Sequence, residues 1–195
     1  MILNDIVSRY IPDKRVTGLI AEVVGSFSAS KGGIVYLIRQ DKLNKRGLPL
    51  GNLTSQLLVN IYLNEFDQFV KHNLKAKYYV RYADDFVLLS TSRPGLDVLL
   101  PRIEDFLGLR LNLNLHPDKV SVSTFASGLG FLGWVHFPDH RVLRSATKRR
   151  MLKDLGEIKN KEDRLQSYLG LLSHGNTEKL RAQVITLAHS EDSVE

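Results

Sequence analysis

The chain has 195 residues, with 27 Lys and Arg against 21 Asp and Glu for a formal charge of +6, 43% apolar residues and no cysteine. That length supports one core, or a core with a small second unit, and the composition excludes a disordered tail. Without cysteine there is no disulfide framework, thiolate zinc site, iron–sulfur cluster or thiol nucleophile, so any chemistry rests on carboxylate, hydroxyl, imidazole or amine groups.

No run approaches the 18 apolar residues of a membrane span, and Met1-Ile2-Leu3-Asn4-Asp5 has no basic segment ahead of an apolar one. The chain therefore reads as a soluble cytoplasmic protein without a membrane partner. Its positive excess favours a polyanionic one.

In chain order, apolar residues at helical spacing predict short helices over 3–11 (Ile6, Tyr10) and 16–29 (Leu19, Ile20, Val23, Val24, Phe27), broken at Pro12-Asp13. Residues 31–47 carry Lys31, Arg39, Lys42, Lys45 and Arg46 against Asp41 alone, a basic connector. From Asn52, a candidate N-cap, a long amphipathic helix of about 22 residues is expected, with Leu53, Leu57, Ile61, Phe66, Phe69 and Val70 near one face.

The aromatic and β-branched runs 77–82 and 86–91 flank Ala83-Asp84-Asp85 and predict a hairpin with the acids at its tip. A helix over 96–107, interrupted by Pro101, comes next. Alternating runs at 110–115 and 119–124, a glycine-rich run at 128–133 and a strand at 141–143 follow. Between Arg141 and Arg164 nine Lys and Arg face four Asp and Glu, and 176–188 reads as a final amphipathic helix. A boundary near residue 145 separates a mixed α+β unit, 1–144, from a basic helical unit, 145–195.

Adjacent aspartates in a turn are ordinary by themselves, since Asp tolerates turn geometry. Between two very apolar strands on a basic protein they gain a second reading, because no local partner but Arg81 is near in sequence. Paired carboxylates are the hard oxygen ligands of a magnesium ion whose shell is completed by substrate phosphates.

Tyr82-Ala83-Asp84-Asp85 resembles the YxDD signature of reverse transcriptases. Arg46-Gly47-Leu48-Pro49-Leu50-Gly51-Asn52-Leu53-Thr54-Ser55-Gln56, followed by Asn60, resembles the family's glycine turn and the helix beneath its nucleotide pocket. The two motifs stand in family order about 30 residues apart, which is more specific than either alone. The LGNLTSQ form is similar to that of the bacterial diversity-generating retroelement enzymes, which implies a bacterial or phage source. His116-Pro117-Asp118-Lys119 resembles the segment bearing a lysine near the triphosphate, and Gly128 to Trp134 the primer-grip hairpin. Tyr168-Leu169-Gly170 through Arg181 resembles the helical thumb. The likeness covers most of 1–188 and is strongest over 46–91.

The resemblance implies a partial right-hand polymerase palm with a C-terminal helical thumb, dividing at 144/145, that extends a DNA primer on an RNA template with deoxynucleoside triphosphates and Mg2+. It implies Asp84 and Asp85 as metal carboxylates, Pro49, Gly51, Gln56, Tyr82, Ala83 and Lys119 around the nucleotide, and Gly130, Leu132, Gly133 and Trp134 on the primer. No FxxDxxxFF pattern is present for the family's first metal aspartate. The expectation is therefore an enzyme lacking the first palm strand and most of the fingers, weak or inactive in isolation unless an upstream polypeptide supplies the missing carboxylate, with an accessory protein as a further candidate partner. The alternative is a non-catalytic nucleic-acid-binding remnant or partner module.

Competing readings of single residues are weaker. Gly128-Leu129-Gly130-Phe131-Leu132-Gly133 matches G-x-G-x-x-G, but a strand-like Trp134-Val135-His136 follows where a dinucleotide site needs a helix N-terminus. His136 and His140 about Asp139 read as a Pro-Asp turn rather than a metal site. Gln56 is either a local hydrogen-bonding residue or a neighbour of the templating base. Trp134 is either core or primer support. For Lys148, Arg149, Arg150 and Lys153 a solvated face is the default reading, and the other is a positive stripe suited to a phosphate backbone.

Overall fold

The computed structural model describes residues 2–26, 53–157 and 162–189. The basic connector, the glycine turn with Pro49 and Gly51, and Asn52 lie outside the described residues. The described chain is mixed α+β, as expected, and divides into two compact units, Met1–Ser121 and Val122–Glu195. This division falls earlier than residue 145, because the three short strands after residue 128 group with the helices that follow them.

In the first unit, helix α1 (Ile2–Tyr10) buries Leu3, Ile6 and Val7, and Pro12 ends it. Asp13 then caps α2 (Lys14–Ser26), its Oδ1 accepting from the backbone N–H of Arg15 at 2.7 Å and of Val16 at 3.4 Å. Helix α3 (Leu53–Gln68) runs on through a π-helical turn, Phe69–Asn73, close to the length its apolar pattern predicts. Its buried face is Ser55, Leu58, Leu63, Phe66 and Val70, whereas Leu57, expected on that face, is 59% exposed.

Strands β1 (Tyr78–Tyr82) and β2 (Asp85–Leu89) pair antiparallel with Tyr82 opposite Asp85, so the loop is two residues, Ala83-Asp84, and Asp85 opens β2. One face of the hairpin packs on α3: Phe66 meets Phe86 edge-on at 4.9 Å and Tyr79 at 6.1 Å between centroids. On the other face Tyr78, Val80 and Tyr82 are exposed.

Helix α4 (Arg93–Leu111) starts at Ser92, whose Oγ accepts from the Gly95 N–H at 3.2 Å, and passes through Pro101 on its exposed side. Ile103, Leu107 and Leu111, four apart, enter the core with Phe66 and Val70. The alternating run 110–115 is thus not a strand. Leu111 belongs to α4, Asn112 turns into the left-handed region at φ 50°, and the Leu113 N–H closes back on the Leu107 carbonyl at 2.9 Å. The run 119–124 is not a strand either: 3-10 turns at Pro117–Lys119 and Phe125–Ser127 bracket chain that pairs with no ladder. In 110–115 the alternation records side chains that face inward, Leu111, Leu113 and Leu115, without a strand partner, whereas 119–124 is exposed apart from the half-buried Val120.

In the second unit β3 (Leu129–Phe131), β4 (Trp134–His136) and β5 (Arg141–Leu143) form an antiparallel sheet in sequence order. Helices α5 (Ser145–Glu157), α6 (Glu162–Leu172) and α7 (Glu178–His189) gather Met151, Leu155, Leu165, Leu172 and Val184 into a core. No described helix is long and apolar enough to cross a membrane.

Candidate functional site

The tip of the β1–β2 hairpin brings Tyr82, Ala83, Asp84 and Asp85 together at one exposed end. A two-residue antiparallel loop needs a positive φ to match the strand twist, and Ala83 supplies it at φ 50°, an unfavourable value for a residue with a Cβ. The Asp85 side chain is exposed and that of Asp84 half-buried, beside a shallow apolar recess lined by Leu63, Phe86, Leu107, Leu113 and Leu115.

Arg81, the one local cation the sequence offers to these acids, is engaged elsewhere. Its Nε and Nη2 donate to Asp67 Oδ1 at 2.8 Å and Oδ2 at 2.6 Å, a two-point pair with a carboxylate on α3. Its Nη1 donates to the Ala83 carbonyl at 2.7 Å and to Asn60 Oδ1 at 3.1 Å. Tyr79 Oη completes the cluster, donating to Asp67 Oδ1 at 2.6 Å. Burial alone would raise the Asp67 carboxyl, but the bonds from Arg81 and Tyr79 and the Arg81 charge outweigh it and hold the group below its ordinary value. Burial, then the bond to Asp67, pushes the Tyr79 phenol upward.

Sequence reasoning missed Asp67 and Tyr79. The available signal was spacing: Asn60 and Asp67 lie seven apart, on one face of a helix, and Tyr79 and Arg81 lie two apart, on one face of a strand.

The other expected site residues are distributed as follows. Gln56 is exposed on α3, one turn before Asn60, and Lys119 is exposed at the end of a 3-10 turn. In the second unit Leu132 and Gly133 form the β3–β4 turn with φ 51° and 82°, so both loop residues take the positive φ of a tight hairpin. Leu132 is 47% exposed there, and Gly130 is exposed in β3. Trp134 is buried, with the Arg141 guanidinium 5.1 Å from its ring centre. Lys148, Arg149, Arg150 and Lys153 are all exposed on α5. His140 Nδ1 pairs with Asp139 at 2.8 Å and His136 with the Phe131 carbonyl at 3.3 Å, so each imidazole is used within its own hairpin.

The protein "Protein YkfC" of Escherichia coli (strain K12) is 27% identical over 150 residues, an alignment covering 60% of this chain and 38% of that protein, so the chain spans well under half of its length. The sequence model of the family described as "Reverse transcriptase (RNA-dependent DNA polymerase)" matches residues 20–159, which contain α3, the acidic hairpin and α5. With most of its length inside that match, the chain belongs to the reverse transcriptase family.

Proposed function

We propose that the chain is the polymerizing core of an RNA-directed DNA polymerase of the diversity-generating retroelement kind, adding deoxynucleotides to a DNA primer on an RNA template. The observation that carries this reading is the adjacent pair Asp84-Asp85 at the end of a hairpin anchored to α3, inside the span that the family matches. In this reading residues 1–144 serve as partial fingers and palm and 145–195 as the thumb.

The residues fit a magnesium site in part. Asp84 and Asp85 offer hard oxygen donors on accessible side chains, and neither is used by Arg81. Among the described residues no group of three or more His, Asp or Glu side chains could hold an ion. The two aspartates therefore make one side of a site whose remainder comes from substrate phosphates and a further carboxylate. When bound, the magnesium supplies the Lewis acidity that activates a primer hydroxyl and steadies the departing pyrophosphate.

The rest of the work falls to side chains of this chain. Gln56, with Pro49 and Gly51 preceding α3, borders the base of the incoming nucleotide, and Tyr82 and Ala83 border its sugar. Lys119 offsets triphosphate charge. Gly130, Leu132 and Gly133 form a hairpin tip against the primer, with Trp134 supporting it from the core. Lys148, Arg149, Arg150 and Lys153 track phosphates of the duplex.

The exposed Lys148, Arg149, Arg150 and Lys153 of α5 also suit a second reading, a nucleic-acid-binding module that does not catalyse alone. Primer extension on an RNA template with Mg2+ separates them, comparing wild type with Asp84→Asn, each with and without a polypeptide bearing an aspartate strand. Extension by wild type, alone or complemented, that is lost in Asp84→Asn supports the polymerase. Absence of extension in every arm, with template binding intact, favours the binding module.

A further inference from the structure

We propose that Arg81 is a positioning residue that holds the Ala83-Asp84 turn in the one conformation that presents the two aspartates together. The proposal rests on reading Asp84 and Asp85 as metal ligands, and assigns the preceding arginine a task that its place in the motif does not show.

Three observations converge on it. Ala83 has φ 50°, where only glycine is at ease, so the loop needs an external hold to keep that conformation. The Ala83 carbonyl receives a charge-assisted hydrogen bond from Arg81 Nη1 at 2.7 Å, the hold required. The guanidinium is itself fixed, because Asp67 takes Nε and Nη2 and Asn60 shares Nη1, leaving its side chain 9% exposed.

Asn60 and Asp67 both lie on α3, so that helix dictates where the guanidinium stands and, through it, where the loop carbonyl points. Gln56 lies on α3 one turn before Asn60. A single rigid helix thereby sets both the acids and the residue assigned to the base.

Arg81→Lys keeps the charge facing Asp67 but loses the planar fork that reaches Asp67 and the loop carbonyl at once. Two readouts on the full chain test the proposal: Mn2+ binding followed by water-proton relaxation, and the Ala83 backbone and Cβ carbon shifts by NMR. Arg81→Lys is expected to weaken Mn2+ binding by about tenfold, as loss of a residue supporting metal ligands does, and to move the Ala83 shifts out of the left-handed range. Adding Ala83→Gly to Arg81→Lys is expected to restore most of the affinity, since glycine adopts a positive φ without strain. A merely structural role for Arg81 predicts no such rescue.

Unchanged Mn2+ affinity and unchanged Ala83 shifts in Arg81→Lys would overturn the proposal, as would failure of glycine to rescue. If an Asp84→Asn, Asp85→Asn double variant binds Mn2+ like wild type, the metal reading fails instead, and the carbon shifts alone decide whether Arg81 holds the turn. Should Arg81→Lys not fold, Asn60→Ala, which removes an exposed partner of the same Nη1, is read by the same two measurements, with a smaller effect expected.

Discussion

A guanidinium with a side chain 9% exposed stays buried only while its charge is matched, and in Arg81 the match is Asp67. The folded Asp67 carboxyl lies below its ordinary value of 3.8, so the group is depressed in the folded state and normal in the unfolded one. By linkage its contribution to stability is complete above that ordinary value and is lost as pH falls through it toward the lower folded one. Asp67→Asn is therefore expected to cost about 3 kcal/mol at neutral pH, the scale for stranding a buried partner, and to flatten the loss of stability below about pH 4. Urea unfolding from pH 3 to pH 7 reads both effects, and parallel pH slopes for the two proteins would refute the second. The acids at the tip were legible in the sequence because they are adjacent and flanked by strand-forming residues. The pair beneath them was not, because Asp67 and Arg81 lie 14 residues apart on a helix and a strand, and their meeting depends on how the hairpin lies on α3.

At the scale of elements, long helices, tight hairpins and the short strand at 141–143 were legible and the two alternating runs were not. Helix α3 follows from its apolar spacing and β1–β2 from two apolar runs about a short loop, both local patterns. The runs 110–115 and 119–124 alternate as strands do, yet a strand requires a partner that local alternation does not specify. Trp134 shows the same limit: two readings were open, and its burial comes from a turn 41 residues later in the chain, where His174 and Asn176 hold Arg141 across the indole. Arg141 Nε donates to the His174 carbonyl, and the Asn176 N–H donates to the Arg141 carbonyl at 2.9 Å. Gly175 lies between them, and a Cβ there would overlap the indole and stand 3.0 Å from the Arg141 carbonyl. Gly175→Ala is expected to destabilise the second unit by about 1–3 kcal/mol, the scale of overpacking. Trp134 is the chain's single tryptophan, so the same variant should red-shift the emission as the ring is displaced toward water. An unchanged emission maximum and unfolding midpoint would show that the turn yields without cost.

For the whole molecule, the net charge of +6 says less than its placement. The first unit carries its paired acids at a hairpin tip, and the second carries Arg149, Arg150 and Lys153 on the arc of α5 opposite the buried Met151 and Leu155, with Lys148 exposed beside them. Basic side chains along one exposed arc can each neutralise a phosphate and release a counterion, so binding to a primer–template duplex should weaken with salt along a straight line in logarithmic coordinates. Each phosphate contact contributes about 0.7–0.9 to that slope, so replacing Arg149 and Arg150 together by Gln should reduce it by about 1.5. Substituting Asp84 should leave the slope unchanged, since that side chain neutralises no phosphate. Fluorescence anisotropy with a labelled duplex between 50 and 300 mM KCl, roughly the range over which such contacts are screened, measures both slopes. A slope unaltered by the double arginine variant would mean that α5 is a solvated face and that the duplex is held by other residues of the chain. A reduced slope would assign the phosphate contacts to α5 independently of whether the carboxylates at the hairpin tip are catalytic.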